Sequence, residues 1–95
     1  MAYQIKFDEK GKADFKQLDN SIKLKIKKYF KKLEKVENPK AFGEPLKENL
    51  AGYWKYRVGN YRVVAEMKDN ELIILVIAVG HRSIIYKKVD KRFNK

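Results

Sequence analysis

The segment Trp54-Lys55-Tyr56-Arg57-Val58 alternates apolar and basic side chains. Successive side chains of an extended strand leave opposite faces, so Lys55 and Arg57 share one face and Trp54, Tyr56 and Val58 the other. Arg62 follows the turn signal Gly59-Asn60, and Arg82 follows the apolar run that ends at Val79. A hairpin through Gly59-Asn60 brings Arg62 beside Arg57, since adjacent strands lie about 4.8 Å apart. Cations gathered on one sheet face repel one another, and an anion relieves that repulsion. A guanidinium offers a planar fork that meets phosphate with two hydrogen bonds, so the set suits a phosphodiester. The same alternation also describes an ordinary half-exposed strand with a solvated polar face. Arg62 and Arg82 taken singly also suit surface salt bridges, for example with Glu66.

Three more residues have chemistry suited to proton transfer or substrate contact. His81, the one histidine of the chain, suits a general base near neutral pH, or simply a polar strand end. Tyr86 can donate a proton or stack on a base. Glu44, in Gly43-Glu44-Pro45, is a carboxylate on a loop. No phosphate-binding glycine loop, nucleophile elbow or metal-ligand spacing occurs, and no cofactor or metal is expected.

The elements that must position these residues follow from periodicity. Tyr3 to Phe7 alternates as a half-buried strand. Asp8 suits the N-cap of a short helix to about Leu18, and Asn20-Ser21 that of a second helix. Ile22, Ile26, Tyr29, Phe30, Leu33 and Val36 repeat at helical spacing until Asn38-Pro39 stops the pattern. Lys23, Lys27, Lys28, Lys31 and Lys35 lie on the opposite side of that helix, with Lys25 and Lys32, as a generic RNA-attracting field. Residues 40–52 read as a connecting loop. Strands follow over Tyr53 to Val58, Tyr61 to Lys68 and Leu72 to Val79, with Gly59-Asn60 and Asp69-Asn70 as hairpin turns and Gly80 as the last strand's end. The third strand is apolar on both faces, as a covered central strand would be. Ser83 suits the cap of a last short helix carrying Ile85, Val89 and Phe93. The expected fold is α+β: two N-terminal helices on one face of a mainly antiparallel sheet of about four strands, then a short C-terminal helix. The basic pair is expected on the uncovered face.

The chain has 95 residues, with 23 Lys+Arg against 12 Asp+Glu, a formal net charge of +11. Residues 1–40 hold 12 basic and 6 acidic side chains and residues 41–95 hold 11 and 6, so the excess is not a tail. It points to a polyanion or an acidic protein as partner. Cysteine is absent, which removes disulfide scaffolds and Cys-ligated zinc. Hydrophobic residues make up 44%, enough for a globular core despite 37% charged residues. A single domain over residues 1–95 is expected. The longest apolar run, Leu72 to Val79, is far short of the roughly 20 residues of a membrane span. No secretory signal pattern opens the chain, so a cytoplasmic protein without membrane contact is expected.

Gly59-Asn60-Tyr61-Arg62-Val63-Val64, the apolar strand, and Val79-Gly80-His81-Arg82 with Tyr86 resemble the RelE toxins, ribosome-dependent mRNA endonucleases of toxin–antitoxin modules. The resemblance spans nearly the whole chain. It implies that the two basic residues of the family's second strand fall on Lys55 and Arg57, its arginines on Arg62 and Arg82, and its nucleotide-positioning tyrosine on Tyr86. RelE itself usually has lysine where this chain has Arg57, and an arginine stays protonated. Glu44-Pro45-Leu46-Lys47-x-Asn49-Leu50-x-Gly52-Tyr53-Trp54 resembles the related YoeB toxins, in which a glutamate shares the acid–base work with a histidine near the chain end. Lys55, Glu44 and His81 are therefore the candidate proton acceptors.

The implied reaction is metal-free attack of a ribose 2′-hydroxyl on the adjacent phosphorus. Arg57 and Arg62 stabilise the developing charge, and Arg82 binds phosphate and assists the leaving oxygen. The implied partners are the ribosomal A site with its mRNA, and an acidic RelB-like antitoxin that covers the basic surface and displaces the C-terminal helix. DNA is contacted only at an operator together with that antitoxin. The lysine face of Lys23 to Lys35 would meet ribosomal RNA. Two other classes share the features: a ParE-like gyrase inhibitor of the same fold, and a basic domain that binds RNA without cutting it.

Overall fold

The protein's structure, a computed structural model, describes residues 2–46 and 52–93. In chain order it has β1 (Gln4–Phe7), α1 (Glu9–Lys16), α2 (Asn20–Lys35), a 3₁₀ turn (Pro39–Phe42), β2 (Glu44–Pro45), β3 (Tyr53–Val58), β4 (Tyr61–Lys68), a 3₁₀ turn (Asp69–Glu71), β5 (Ile73–His81) and α3 (Ile85–Phe93). The strands form one sheet in the order β1-β5-β4-β3-β2, with β1 parallel to β5 and the other neighbours antiparallel. The α+β class is as the sequence implies, with five strands rather than about four. The fifth is β2, inside the expected loop. Its two residues carry no readable period, and Pro45 is tolerated because β2 is an edge strand. Lys47, Asn49 and Leu50 of the loop motif lie outside the described residues.

Local chemistry explains the elements. The Asp8 carboxylate accepts the Gly11 backbone N–H at 2.7 Å and starts α1. A side chain on Gly11 would strike the Val76 carbonyl, so the glycine lets α1 lie against β5. Helix α1 stops at Lys16, before Leu18. Helix α2 begins at Asn20 behind Asp19, with no side-chain cap hydrogen bond, so the Asn20-Ser21 cap is not used. Its apolar stripe buries Ile26, Phe30 and Leu33. Each such apolar side-chain burial is worth about 1.5–3 kcal/mol. Gly59 takes φ +60° in the β3–β4 turn, as a two-residue hairpin requires. The β4–β5 connection departs from the expected two-residue turn at Asp69-Asn70. It is a 3₁₀ turn closed by Leu72 in the left-handed region at φ 56°. Strand β5 does not end before Gly80 but pairs with β4 as far as His81. Ser83 does not cap α3, because its hydroxyl meets His81 Nδ1 at 2.8 Å and the helix starts at Ile85.

The sheet is covered on both sides. Ile26, Phe30 and Leu33 of α2 pack with Tyr56, Val63, Ala65, Met67, Ile74, Val76 and Val79. On the other face Ile85 and Val89 of α3 pack with Leu46, Val64, Ile77 and Ala78. The α3 face is thus partly roofed, where the sequence implied a bare one. The β4–β5 register shifts between Val64 and Ala65, so β5 carries a bulge and both Ile77 and Ala78 turn toward α3.

Beyond Val76 the outer edge of β5 has no strand partner, since β1 ends there and the chain turns into α1. Side chains finish the ladder instead. Asp14 Oδ2 accepts the Val79 amide at 3.0 Å, Arg92 donates to the Ile77 carbonyl at 2.6 Å, and Lys88 donates to the Val79 carbonyl at 3.2 Å. Arg92 also grips Asp14 with two bonds of 2.9 and 2.8 Å, and Lys88 Nζ lies 3.3 Å from its Oδ1. Asp14 is 8% exposed. Burial alone would push its pKa up, but the Arg92 and Val79 hydrogen bonds and the Arg92 and Lys88 charges outweigh it and hold the carboxyl below its usual range.

Breaking a buried pair by removing one partner costs about 3–5 kcal/mol, so Arg92→Ala should lower the unfolding midpoint strongly. A carboxyl whose folded pKa lies below its unfolded one stabilises fully above the unfolded value and loses that contribution as pH falls through the folded value. The stability gap between wild type and Asp14→Asn should therefore stay flat from about pH 5 to pH 8 and close below about pH 4. Thermal unfolding across pH measures it. Asp69, held low by the Lys40 hydrogen bond and then by Tyr3, titrates in both variants and cancels.

Candidate active site

The β registers assemble two rows on the α3 side of the sheet. Glu44 lies opposite Lys55, which lies opposite Val64. Arg57 lies opposite Arg62, which lies opposite Gly80. Tyr86, in the first turn of α3, stands over the first row: its hydroxyl is 3.3 Å from Lys55 Nζ, which is 5.4 Å from the ring centroid. On its other side Lys55 Nζ is 3.8 Å from Glu44 Oε2. The ammonium therefore sits between a carboxylate and a phenol. Glu44, Lys55 and Arg57, with Ala41, Phe42 and Gly43, line an open cleft of about 260 Å³.

In the second row two guanidinium side chains face each other across β3 and β4. Residues directly opposite have Cβ atoms about 4.5–5.5 Å apart, and like charges there are destabilising. Arg57 is exposed and makes no hydrogen bond or ion pair with another described residue. Arg62 turns its Nη1 away, onto the carbonyls of Gly59 and Tyr61, both at 3.0 Å. Arg82 is exposed, and its backbone N–H binds the Asn60 carbonyl at 2.8 Å, which fixes it beside the same hairpin tip. One end of the surface thus holds Glu44, Lys55 and Tyr86, and the other holds Arg57, Arg62 and Arg82.

Comparison with known proteins gives the family of the chain. The family model described as the ParE toxin of the type II toxin–antitoxin system parDE matches residues 5–86. The mRNA interferase toxin RelE of Escherichia coli K12 is 32% identical over 95 residues, covering 97% of this chain and 98% of that one. The chain is a RelE-type toxin of the RelE/ParE family. Among solved structures, the toxin–antitoxin complex RelBE2 of Mycobacterium tuberculosis superposes with a TM-score of 0.76 at 25% identity, covering 86% of this chain and 100% of that one. A doubly substituted E. coli RelE in the free state gives 0.72 at 25% identity, covering 98% and 99%.

Of the seven candidate catalytic residues, the toxin brings Glu44, Lys55, Arg57, Arg62 and Tyr86 onto one surface. It holds Arg82 by its backbone at the hairpin end of that surface and leaves His81 apart. His81 pairs with Tyr61 at the end of β5 and packs edge-on against its ring at 5.4 Å, on the α2 side of the sheet. Its Nδ1 is engaged by the hydroxyl and backbone N–H of Ser83. It faces away from Lys55. The lysines of α2 are also on that far side: Lys27, Lys28, Lys31 and Lys35 are exposed and Lys23 is half-buried. None of these five lines the cleft. Sequence reading missed Asp14, Lys88 and Arg92, which hold α3 and hence Tyr86 in place. The one available signal was Asp14 standing three residues after Gly11 and four before Leu18, on the packed stripe of α1. Among the described residues no group of three or more His, Asp or Glu side chains is close enough to hold a metal ion. No helix among them is long and apolar enough to cross a membrane.

Relief of the Arg57–Arg62 repulsion should stabilise the free toxin. Arg57→Gln should raise the unfolding midpoint at low salt by about 1–8 °C, from a cross-strand penalty of roughly 0.2–1 kcal/mol. Added phosphate should raise the wild-type midpoint and leave that of the Arg57→Gln/Arg62→Gln double variant unmoved. Calorimetry at constant ionic strength checks both.

Proposed function

We propose that this toxin is an endoribonuclease that cleaves translated mRNA on the ribosome, and so halts translation in the cytoplasm. The observation that carries the reading is the cross-strand Arg57–Arg62 pair beside Lys55, a cation cluster that an RNA phosphate would neutralise. The name of the E. coli relative, an mRNA interferase, supports the same chemistry.

In the proposed reaction a ribose 2′-hydroxyl loses its proton to the Glu44 carboxylate, an acceptor-only group when ionised. The freed oxygen attacks the adjacent phosphorus while the bond to the 5′-oxygen breaks. The products are a 2′,3′-cyclic phosphate and a 5′-hydroxyl, whose proton comes from the Lys55 ammonium. Arg57, Arg62 swung out from the turn, and Arg82 hold the phosphoryl oxygens as charge develops on them. Tyr86 stacks on a neighbouring base. His81 has no part in this scheme, because its ring is turned to the α2 side. DNA lacks the attacking hydroxyl and is not a substrate. The lysines of α2 dock the toxin on ribosomal RNA, an attraction that weakens with salt. The expected regulator is an acidic RelB-like antitoxin, in line with the RelBE2 complex.

Primer extension on an mRNA translated in a purified system tests the proposal. Wild type should give discrete cuts in translated mRNA and none in naked mRNA. Arg62→Ala/Arg82→Ala should abolish them, and Glu44→Gln should slow them by about 10²–10⁴-fold, as loss of a general base does. Unchanged cutting in the double arginine variant would refute the site. Intact mRNA with inhibited gyrase supercoiling would favour the ParE-like reading that the family model's name suggests.

A further inference from the structure

Phe42 is a large apolar side chain that belongs to neither core cluster and is 40% exposed. A lone exposed hydrophobe needs no explanation; the surroundings of this one do. It ends the Pro39–Phe42 turn, whose carbonyls are held by three aromatic side chains. Tyr56 Oη donates to the Pro39 carbonyl at 3.0 Å, Trp54 Nε1 to the Lys40 carbonyl at 3.0 Å, and Tyr29 Oη to the Phe42 carbonyl at 3.2 Å. Tyr56 is fully buried and Trp54 and Tyr29 pack against the same core, so the turn is a fixed mount. Lys32 Nζ lies 4.9 Å from the Phe42 ring centroid, a cation–π contact. Phe42 is also one of the residues that line the cleft, with Glu44, Lys55 and Arg57. That cleft, about 260 Å³, is below the roughly 300–1,000 Å³ of small-molecule pockets. Its size and open wall suit one planar group.

We propose that Phe42 is a second base-stacking platform of the RNA site, holding the nucleobase on the side of the scissile phosphate away from Tyr86. The inference rests on the RNA-cleaving reading above. A phosphate docked at Lys55 and Arg57 has Tyr86 on one side, 3.3 Å from Lys55 Nζ. On the other side stands Glu44, 3.8 Å from the same atom, with Phe42 two residues before it. The two nucleotides that share the scissile phosphate thus each meet an aromatic ring. Stacking accepts any base, since every base has a π-face. The ring's exposure then has a purpose, and Lys32 extends the cation track from the cleft toward the lysine field of α2.

The test uses the full chain with ribosomes carrying a defined mRNA in two forms. One is cleavable. The other has a 2′-O-methyl group at the scissile ribose and the fluorescent base 2-aminopurine at either flanking nucleotide. Phe42→Ala and Phe42→Leu should raise KM about tenfold with kcat little changed, and Phe42→Tyr should restore it, as expected for one lost and regained stack. On the uncleavable RNA, wild type should quench 2-aminopurine at both positions. Tyr86→Ala should lose one quench, and Phe42→Leu the other. Wild-type KM and full quenching in Phe42→Leu would overturn the proposal. So would a loss that tracks a lowered unfolding midpoint and is not restored by tyrosine. A wild type that binds but does not cut would refute the cleavage reading alone, because the quench needs no reaction.

Discussion

The architecture depends on how the outer edge of β5 is closed. A central strand loses its neighbour at Val76, where β1 ends, and three backbone groups beyond it would face the interior unpaired. One buried carboxylate solves most of this. Asp14 takes the Val79 amide and recruits Arg92 and Lys88, whose own donors then satisfy the Ile77 and Val79 carbonyls. A lone buried carboxylate would be far costlier than a hydrophobe, and only the matched guanidinium makes it tolerable. The arrangement joins α1 to α3 through the sheet edge. Since α3 carries Tyr86, the place of the phenol beside Lys55 follows from an ion pair at the opposite end of the helix.

The cation cluster is built against stability. Arg57 and Arg62 stand opposite each other, and neither forms an ion pair with another described residue. One carboxylate does sit nearby, Glu44, but the register gives it to Lys55 instead. The sheet is a stiff support for such a surface, because its hydrogen bonds fix the side-chain rows whatever the charges prefer. In the reaction proposed above, an anion that relieved this repulsion would be bound the more tightly for it. The turn before β2 is rigid for a different reason: Tyr29, Trp54 and Tyr56 each spend a polar hydrogen on its carbonyls.

Much of this could be read from the chain because it is written locally. The alternation of Trp54 to Val58, the glycine of the β3–β4 turn and the apolar stripe of α2 each depend on residues within a few positions. Together they put Lys55, Arg57 and Arg62 on one face of the sheet. What escaped depends on distant partners. Strand β2 has two residues and a proline, so only pairing with β3 defines it. Asp14 looks like a solvated charge on a polar helix, and its burial follows from Arg92, 78 positions away. Leu72 adopts a left-handed conformation that nothing in its side chain favours. His81 follows Gly80 directly, and sequence offers no way to tell which side of the sheet it takes.

That side is decided by the bulge in β5. With Ile77 and Ala78 both turned toward α3, every later residue of the strand changes face. Gly80 consequently completes the Arg57–Arg62 row, and the imidazole of His81 is carried to the other surface. The bulge absorbs one extra residue of β5, so deleting that residue would leave Gly80 opposite Arg62 and His81 opposite Tyr61. Flattening the bulge at unchanged length would instead turn the imidazole to the α3 side. Within this fold the surface that receives the imidazole is thus set by whether β5 bulges, not by how many residues it has.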